Sequence, residues 1–136
     1  MAFKYSCPVE VRFRDCDPMG HANNAVYLTY LEVARFAYWR DVCGGRGWGD
    51  IKFIMARVEV DYKAPVEQGD VLDVRLGITS FGRTSFVFEY ELQNQRGLLV
   101  ATARTVQVMY DYATGKPVSV LQNFKDRVSA YEGLTL

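Results

Sequence analysis

The sequence is poor in the side chains that bind metals and carry redox chemistry: one histidine, His21, and three cysteines, Cys7, Cys16 and Cys43, in 136 residues. The cysteines are odd in number and fall at no metal-like spacing. Neither a disulfide framework nor a zinc site is therefore expected, and free thiols in a reducing compartment are. No apolar run is long enough to span a bilayer, and the opening Met1-Ala2-Phe3-Lys4-Tyr5 lacks an apolar signal core. A cytoplasmic location is the expectation. An excess of one charge is also missing: Lys and Arg number 16, Asp and Glu number 16, and the net charge is zero. Nothing in that balance points to a general nucleic-acid or membrane binder, and local basic patches stay open. No glycine-rich dinucleotide or phosphate loop is found; Gly82-Arg83-Thr84 is too short to be specific. No metal and no resident cofactor are expected.

What is present is a well-mixed globular composition, 49% hydrophobic and 14% aromatic. That is too apolar for disorder and sized for one domain spanning 1–136. A chain of this length buries roughly two-thirds of its unfolded surface, enough for a core without metal or disulfide. No internal repeat, linker or low-complexity segment interrupts it.

The pattern along the chain is strand, long helix, four strands, short helix. Val9, Val11 and Phe13 alternate with Glu10, Arg12 and Arg14, a period of two that predicts a half-buried strand. From about Asn24 to Cys43 the period becomes helical, with Tyr27, Tyr30, Leu31, Ala34 and Tyr38 on one face. The apolar arc is wide, so burial on most sides is expected. Asn23 or Asn24 suits the N-cap, and Gly44-Gly45 ends the helix, with Gly47-Trp48-Gly49 continuing as loop. Ile54, Ala56, Val58, Val60 and Tyr62 alternate, as do Leu72 to Ile78 and Phe86 to Leu92; turns are marked by Pro65, Gly69-Asp70, Gly82 and Gly97. Residues 98–110 read as a strand covered on both faces. Ser119 with Gln122 resembles a capping box before a stripe of Leu121, Phe124, Val128 and Tyr131. Strands with segregated helices make an α+β fold, and the simplest packing wraps the sheet around the long helix.

The polar residues concentrate in one stretch, Arg14-Asp15-Cys16-Asp17-Pro18-Met19-Gly20-His21-Ala22-Asn23-Asn24. Asp17 reads on local grounds first as a turn residue, since Asp-Pro starts many turns, and second as a nucleophile or a base on water. The unpaired N–H groups at the helix start carry partial positive charge and can stabilise an oxyanion. A carboxylate beside such donors is an acyl-transfer constellation that needs no metal. His21 fits loop bracing and substrate polarisation alike. Asn23 and Asn24 read as caps first and substrate contacts second. Asp15 reads as a loop brace. Cys16 has no second histidine to pair with and sits between two carboxylates, a poor setting for a thiolate nucleophile.

The run Asp17-Pro18-Met19-Gly20-His21-Ala22-Asn23-Asn24-Ala25-Val26-Tyr27-Leu28, followed by Glu32 and Arg35, resembles the hotdog-fold acyl-CoA thioesterases, and within them the 4-hydroxybenzoyl-CoA thioesterase family. Asp61-Tyr62-Lys63-Ala64-Pro65-Val66 and Gly69-Asp70 fit the same pattern more loosely. The resemblance implies a curved antiparallel five-stranded sheet around a long central helix, with a short C-terminal helix. It implies a homodimer, often paired again into a homotetramer, with active sites at the subunit interface and acyl-CoA as substrate. Asp17 falls on the family's catalytic carboxylate, and Asn24 falls where a backbone N–H serves as oxyanion donor. His21 and Asn24 also match a Gly-His-x-Asn-Asn variant resembling that of acyl-carrier-protein thioesterases. Met19 departs from the Asn found there, which favours Asp17 with backbone help. Asn23 and Tyr27 are the expected substrate contacts near the helix start. Arg83 and Thr84 follow a hairpin where the family often touches coenzyme A. Alternatives are a hotdog hydratase or dehydratase, which needs a second carboxylate on the helix, and a non-catalytic acyl-CoA binding module.

Overall fold

The computed structural model describes residues 2–45 and 52–135. Along the chain come β1 (Tyr5–Glu10), α1 (Tyr27–Val42), β2 (Phe53–Tyr62), β3 (Val71–Phe81), β4 (Ser85–Gln93), β5 (Leu99–Asp111), β6 (Lys116–Pro117) and α2 (Gln122–Glu132). Two 3-10 turns, Phe13–Asp15 and Asn24–Val26, flank the Asp17 loop. The strands form one antiparallel sheet in the order β1-β3-β4-β5-β2, and two-residue β6 pairs with the end of β5. The α+β class, the five long strands and the two helices agree with expectation; β6 is additional. The expected loop residues Gly47, Trp48 and Gly49 lie outside the described residues.

Helix α1 follows its apolar stripe. Tyr27, Tyr30, Leu31, Ala34 and Tyr38 are all buried, in one cluster with Leu72, Leu76, Ile78, Phe88 and Tyr90 of the sheet. Tyr38 meets Phe88 edge-on at 5.1 Å, and Arg35 donates to the Tyr90 hydroxyl at 3.2 Å. Burying side chains of this size contributes roughly 1.5–3 kcal/mol each, so this seam is a large contributor to the stability of the domain. Burial is not all round, however. Leu28, Thr29, Glu32 and Val33 are exposed, because the sheet covers only one side of the helix.

Several local expectations change. The first strand stops at Glu10, and Phe13 is 78% exposed rather than inward. The chain turns there because Asp15 accepts from the Arg12 N–H at 2.9 Å, closing a 3-10 turn where alternation had implied continued strand. In β2, Met55 pairs with Gln107 but Arg57 pairs with Val106, a bulge at Ala56. The extra residue reverses the alternation. Ile54 pairs with Val108, while Val58 pairs with Thr105 and Tyr62 with Ala101, so the apolar set does not share one face. Strand β5 is covered fully on one side only: Thr105, Gln107 and Met109 are buried, and Arg104 is exposed. The Ser119–Gln122 capping box does not form. The helix begins later, with extended Leu121 as its N-cap, and the Gln122 amide donates to Asp126 instead.

The C-terminal helix buries Phe124 and Val128 in the core and is tied to α1 and β3 by Glu132. Glu132 accepts from the Tyr38 hydroxyl at 2.7 Å and from the Ile78 N–H at 3.2 Å. It fits because residue 77 is glycine: a Cβ there would stand 2.6 Å from the Glu132 Oε2. Gly77→Ala should therefore displace the carboxylate and cost about 1–3 kcal/mol, as for the loss of two part-buried hydrogen bonds. In thermal unfolding, the double variant with Glu132→Ala should be no less stable than Glu132→Ala alone, because the alanine then has nothing left to displace.

Candidate active site

The stretch from Asp15 to Asn23 is a small hairpin. The Asn23 N–H donates to the Asp15 carbonyl at 2.8 Å, Cys16 bridges Ala22, and the Asp17 N–H donates to the His21 carbonyl at 2.9 Å. The tip is Asp17-Pro18-Met19-Gly20. Gly20 closes it with φ +86°, a conformation that side-chain-bearing residues rarely adopt. The outer limb is held to the chain beyond β2 by a bridge between His21 and Glu67 and by the Ala22 N–H on the Val66 carbonyl at 2.7 Å.

Beneath the hairpin lies Asp15, 2% exposed. Its carboxylate accepts from the Arg12 backbone N–H at 2.9 Å, from the Arg12 guanidinium at 3.0 Å, and from the Tyr30 hydroxyl at 3.0 Å. Burial raises the Asp15 pKa, but the bonds from Arg12 and Tyr30 outweigh it and leave the group below the ordinary carboxylate range. The same contact, after burial, raises the pKa of the Tyr30 phenol. Asp15 is the loop brace that the sequence suggested, and it is not available to substrate.

Asp17 sits differently. Its Oδ1 accepts from the Met19 N–H at 2.9 Å and, more weakly, from the His21 N–H at 3.4 Å. The second oxygen, Oδ2, has no partner among the described residues. The side chain is half-buried and lines a cleft of about 420 Å³ whose other walls include His21, Asn24, Tyr27, Tyr62 and Lys63. Tyr27 is held by ring contacts to Tyr30 at 5.8 Å and Tyr62 at 4.9 Å. Burial, with smaller effects from Tyr62 and Asp70, pushes its pKa up to about 12, so its hydroxyl stays protonated at neutral pH.

The helix start forms the opposite wall. Asn23 is the N-cap: its side-chain oxygen accepts from the Ala25 N–H at 2.9 Å, and its carbonyl accepts from the Val26 N–H at 2.9 Å. The Asn24 N–H is left without an acceptor among the described residues. An unpaired amide at a helix start in the same cleft as a free carboxylate oxygen is a combination suited to acyl transfer.

The structure thus gathers Asp17, His21, Asn24 and Tyr27 around one cleft, with Asn23 committed to capping. It does not bring Arg83 and Thr84 there within one chain. They lie between β3 and β4, next to Ser85, which pairs with Val108, whereas Tyr62 pairs with Ala101. Seven residues of β5 separate those levels, roughly 23 Å at strand rise. Tyr62 is a cleft residue that pattern reading misses, its only signal being the looser family match over 61–66; Lys63, a candidate for the nucleotide phosphates from its charge, also lines the cleft.

A second cavity, of about 290 Å³, lies between α1 and the start of β2 and is lined by Phe36, Trp39, Phe53, Phe88 and the polar Glu32 and Arg35. It holds no carboxylate paired with a free amide, and Glu32 is not among the residues around Asp17. Among the described residues, no group of three or more His, Cys, Asp or Glu is placed to hold a metal.

Comparison with known proteins gives a consistent pattern. The model of the thioesterase-like superfamily matches residues 11–128. A putative acyl-CoA thioesterase of Bacillus subtilis, YneP, is 30% identical over 129 residues, covering 91% of this chain and 92% of the relative. The acyl-CoA thioester hydrolase YbgC of Escherichia coli is 29% identical over 129 residues, covering 87% and 93%. A thioesterase from Thermus thermophilus, crystallised with coenzyme A and Zn, superposes with a TM-score of 0.88 at 36% identity, covering 98% of each chain.

The Asp15 brace has a testable signature. Asp15→Ala should cost about 2–4 kcal/mol, since it strands a buried hydroxyl and a guanidinium contact. Because the folded pKa is depressed, the stabilisation is present above the ordinary value of 3.8 and is lost as pH falls through the folded value. Urea unfolding should therefore show parent and Asp15→Asn far apart at neutral pH and converging under strong acid.

Proposed function

The chain belongs to the thioesterase-like superfamily, and from that premise we propose that it is an acyl-CoA thioesterase that releases free acid and coenzyme A, with Asp17 as its catalytic carboxylate. The observation that carries this reading is the free Oδ2 of Asp17 sharing a cleft with the unpaired Asn24 N–H. The thioester carbonyl oxygen lies against the Asn24 N–H. As the carbonyl carbon is attacked, negative charge moves onto that oxygen, and the amide bond to it strengthens. The carbon–sulfur bond then breaks and coenzyme A leaves as a thiolate, a good leaving group that takes up a proton.

Asp17 acts as nucleophile or as base on water. Direct attack gives a mixed anhydride that water then opens, returning the carboxylate. As base, Asp17 takes a proton from water while the oxygen of that water bonds to carbon. The protonated Tyr27 hydroxyl and His21 line the same space and suit the substrate side of the cleft. In a single turnover in ¹⁸O-water, a first-formed acid without label and an ¹⁸O-labelled Asp17 identify nucleophilic attack with water opening the anhydride at the Asp17 carboxyl carbon. Attack of water on the acyl carbon, as in the base route, puts one ¹⁸O into the acid instead.

The reading of a hydratase is disfavoured by position. Its second carboxylate would have to come from α1, and exposed Glu32 lines the other cavity. A bare binding module gives no reason for a free carboxylate oxygen beside a free amide. We further propose a homodimer formed along β2. This ten-residue strand has a single neighbour, β5, and its Ile54 and Val58 are exposed. A second copy paired there would cover them, and two such dimers would make the tetramer. No helix among the described residues is long and apolar enough to cross a membrane. The three free thiols fit our placement in the cytoplasm.

Asp17→Asn should keep the fold and cut turnover at least about a hundredfold, as for loss of a catalytic acid–base group. Near-normal thiol release from any acyl-CoA by that variant would remove Asp17 from the mechanism. Val58→Asp should lower the solution mass to that of a single chain; an unchanged mass would place the interface elsewhere.

A further inference from the structure

Tyr62 lies on the sheet's edge strand and is 47% exposed, so water alone would satisfy its hydroxyl. Instead the hydroxyl donates to the carbonyl oxygen of Asn24 at 2.8 Å, across 38 residues of sequence. The ring stands edge-on against Tyr27, with centroids 4.9 Å apart and planes at 89°. Its place at that level follows from the bulge at Ala56, after which Tyr62 pairs with buried Ala101.

The Asn24 residue is gripped on two sides. The preceding peptide unit, which carries the unpaired Asn24 N–H, has its carbonyl held by Val26. The following unit has its carbonyl held by Tyr62 and its N–H by the Asn23 side chain. A 3-10 turn of three residues has little internal bonding with which to hold itself. The direction of the free amide therefore depends on these outside ties.

We propose that Tyr62 is a positioning residue that aims the Asn24 N–H, acting through the Asn24 carbonyl and touching no reacting atom. The inference rests on the thioesterase reading for its catalytic consequence, but the tie itself is independent of it. Misplacement of a reacting contact by a fraction of an ångström is enough to slow chemistry without weakening ground-state binding.

Tyr62→Phe keeps the ring and its contact with Tyr27 and removes only the hydroxyl. Thiol release should show kcat falling about tenfold while KM stays within about twofold. The thermal midpoint should move by less than about 3 °C, because the lost bond is solvent-accessible. A merely structural role would lower the midpoint or raise KM instead. Hydrogen exchange of the Ala25 and Val26 amides supplies a readout free of activity: it should quicken at least about fivefold in Tyr62→Phe while the amides around Tyr38 keep their protection. A kcat within about twofold of the active parent overturns the proposal, as does unchanged exchange at Ala25 and Val26. A parent inactive on every acyl-CoA would instead overturn the thioesterase reading, and the exchange data would still decide whether Tyr62 holds the turn.

Discussion

A carboxylate taken out of water has to be fully bonded, and Asp15 is the one on which the site rests. With 2% of its surface left, its charge is tolerable only because Arg12 and Tyr30 both reach it. Arg12 comes from the end of β1 and Tyr30 from the start of α1. Satisfying one charge therefore fixes the distance between the strand, the hairpin and the helix. The Asn23 N–H on the Asp15 carbonyl then sets where the helix starts. The placement of Asp17 and Asn24 in one cleft follows from constraints lying beneath them, and neither group has to hold the other in place.

The large features of the fold were legible because they depend on periodicity within single segments. The helical stripe from Tyr27 to Tyr38 and the alternation in β3 and β4 need no knowledge of their partners. What was illegible depends on counting residues across a pair. The bulge at Ala56 is defined only relative to β5, so a regular apolar alternation in β2 hid a reversal of face. The same holds at Phe13, where alternation continued in sequence while a side chain three residues from Arg12 closed a turn instead.

The site divides along the same line. Asp17, His21, Asn24 and Tyr27 are near neighbours in sequence, and a compact loop running into a helix cannot scatter them. Tyr62 reaches the cleft from another strand, and its contact is with a carbonyl, a group every residue carries and no motif records. Arg83 and Thr84 show the converse. They were named through family resemblance, and the sheet carries them to the far end of the strands within one chain. A resemblance transfers positions in a sequence, whereas a site is assembled from positions in space. An interface between chains can place in one cleft residues that a single chain holds apart.

Asp17 shows why the bland and the chemical readings of a loop carboxylate need not compete. A carboxylate has two oxygens. One of them, Oδ1, serves the Asp-Pro turn by taking the Met19 N–H. The other is left without a partner among the described residues, in a cleft with a free amide. On the proposed function, the turn is what makes the chemistry feasible, since a carboxylate on a freely rotating side chain would stay mostly bonded to water and away from a bound carbonyl. Anchoring one oxygen removes that rotational freedom before substrate arrives. On the proposed function, turn residue and catalytic residue are one assignment, split between two oxygens of the same side chain.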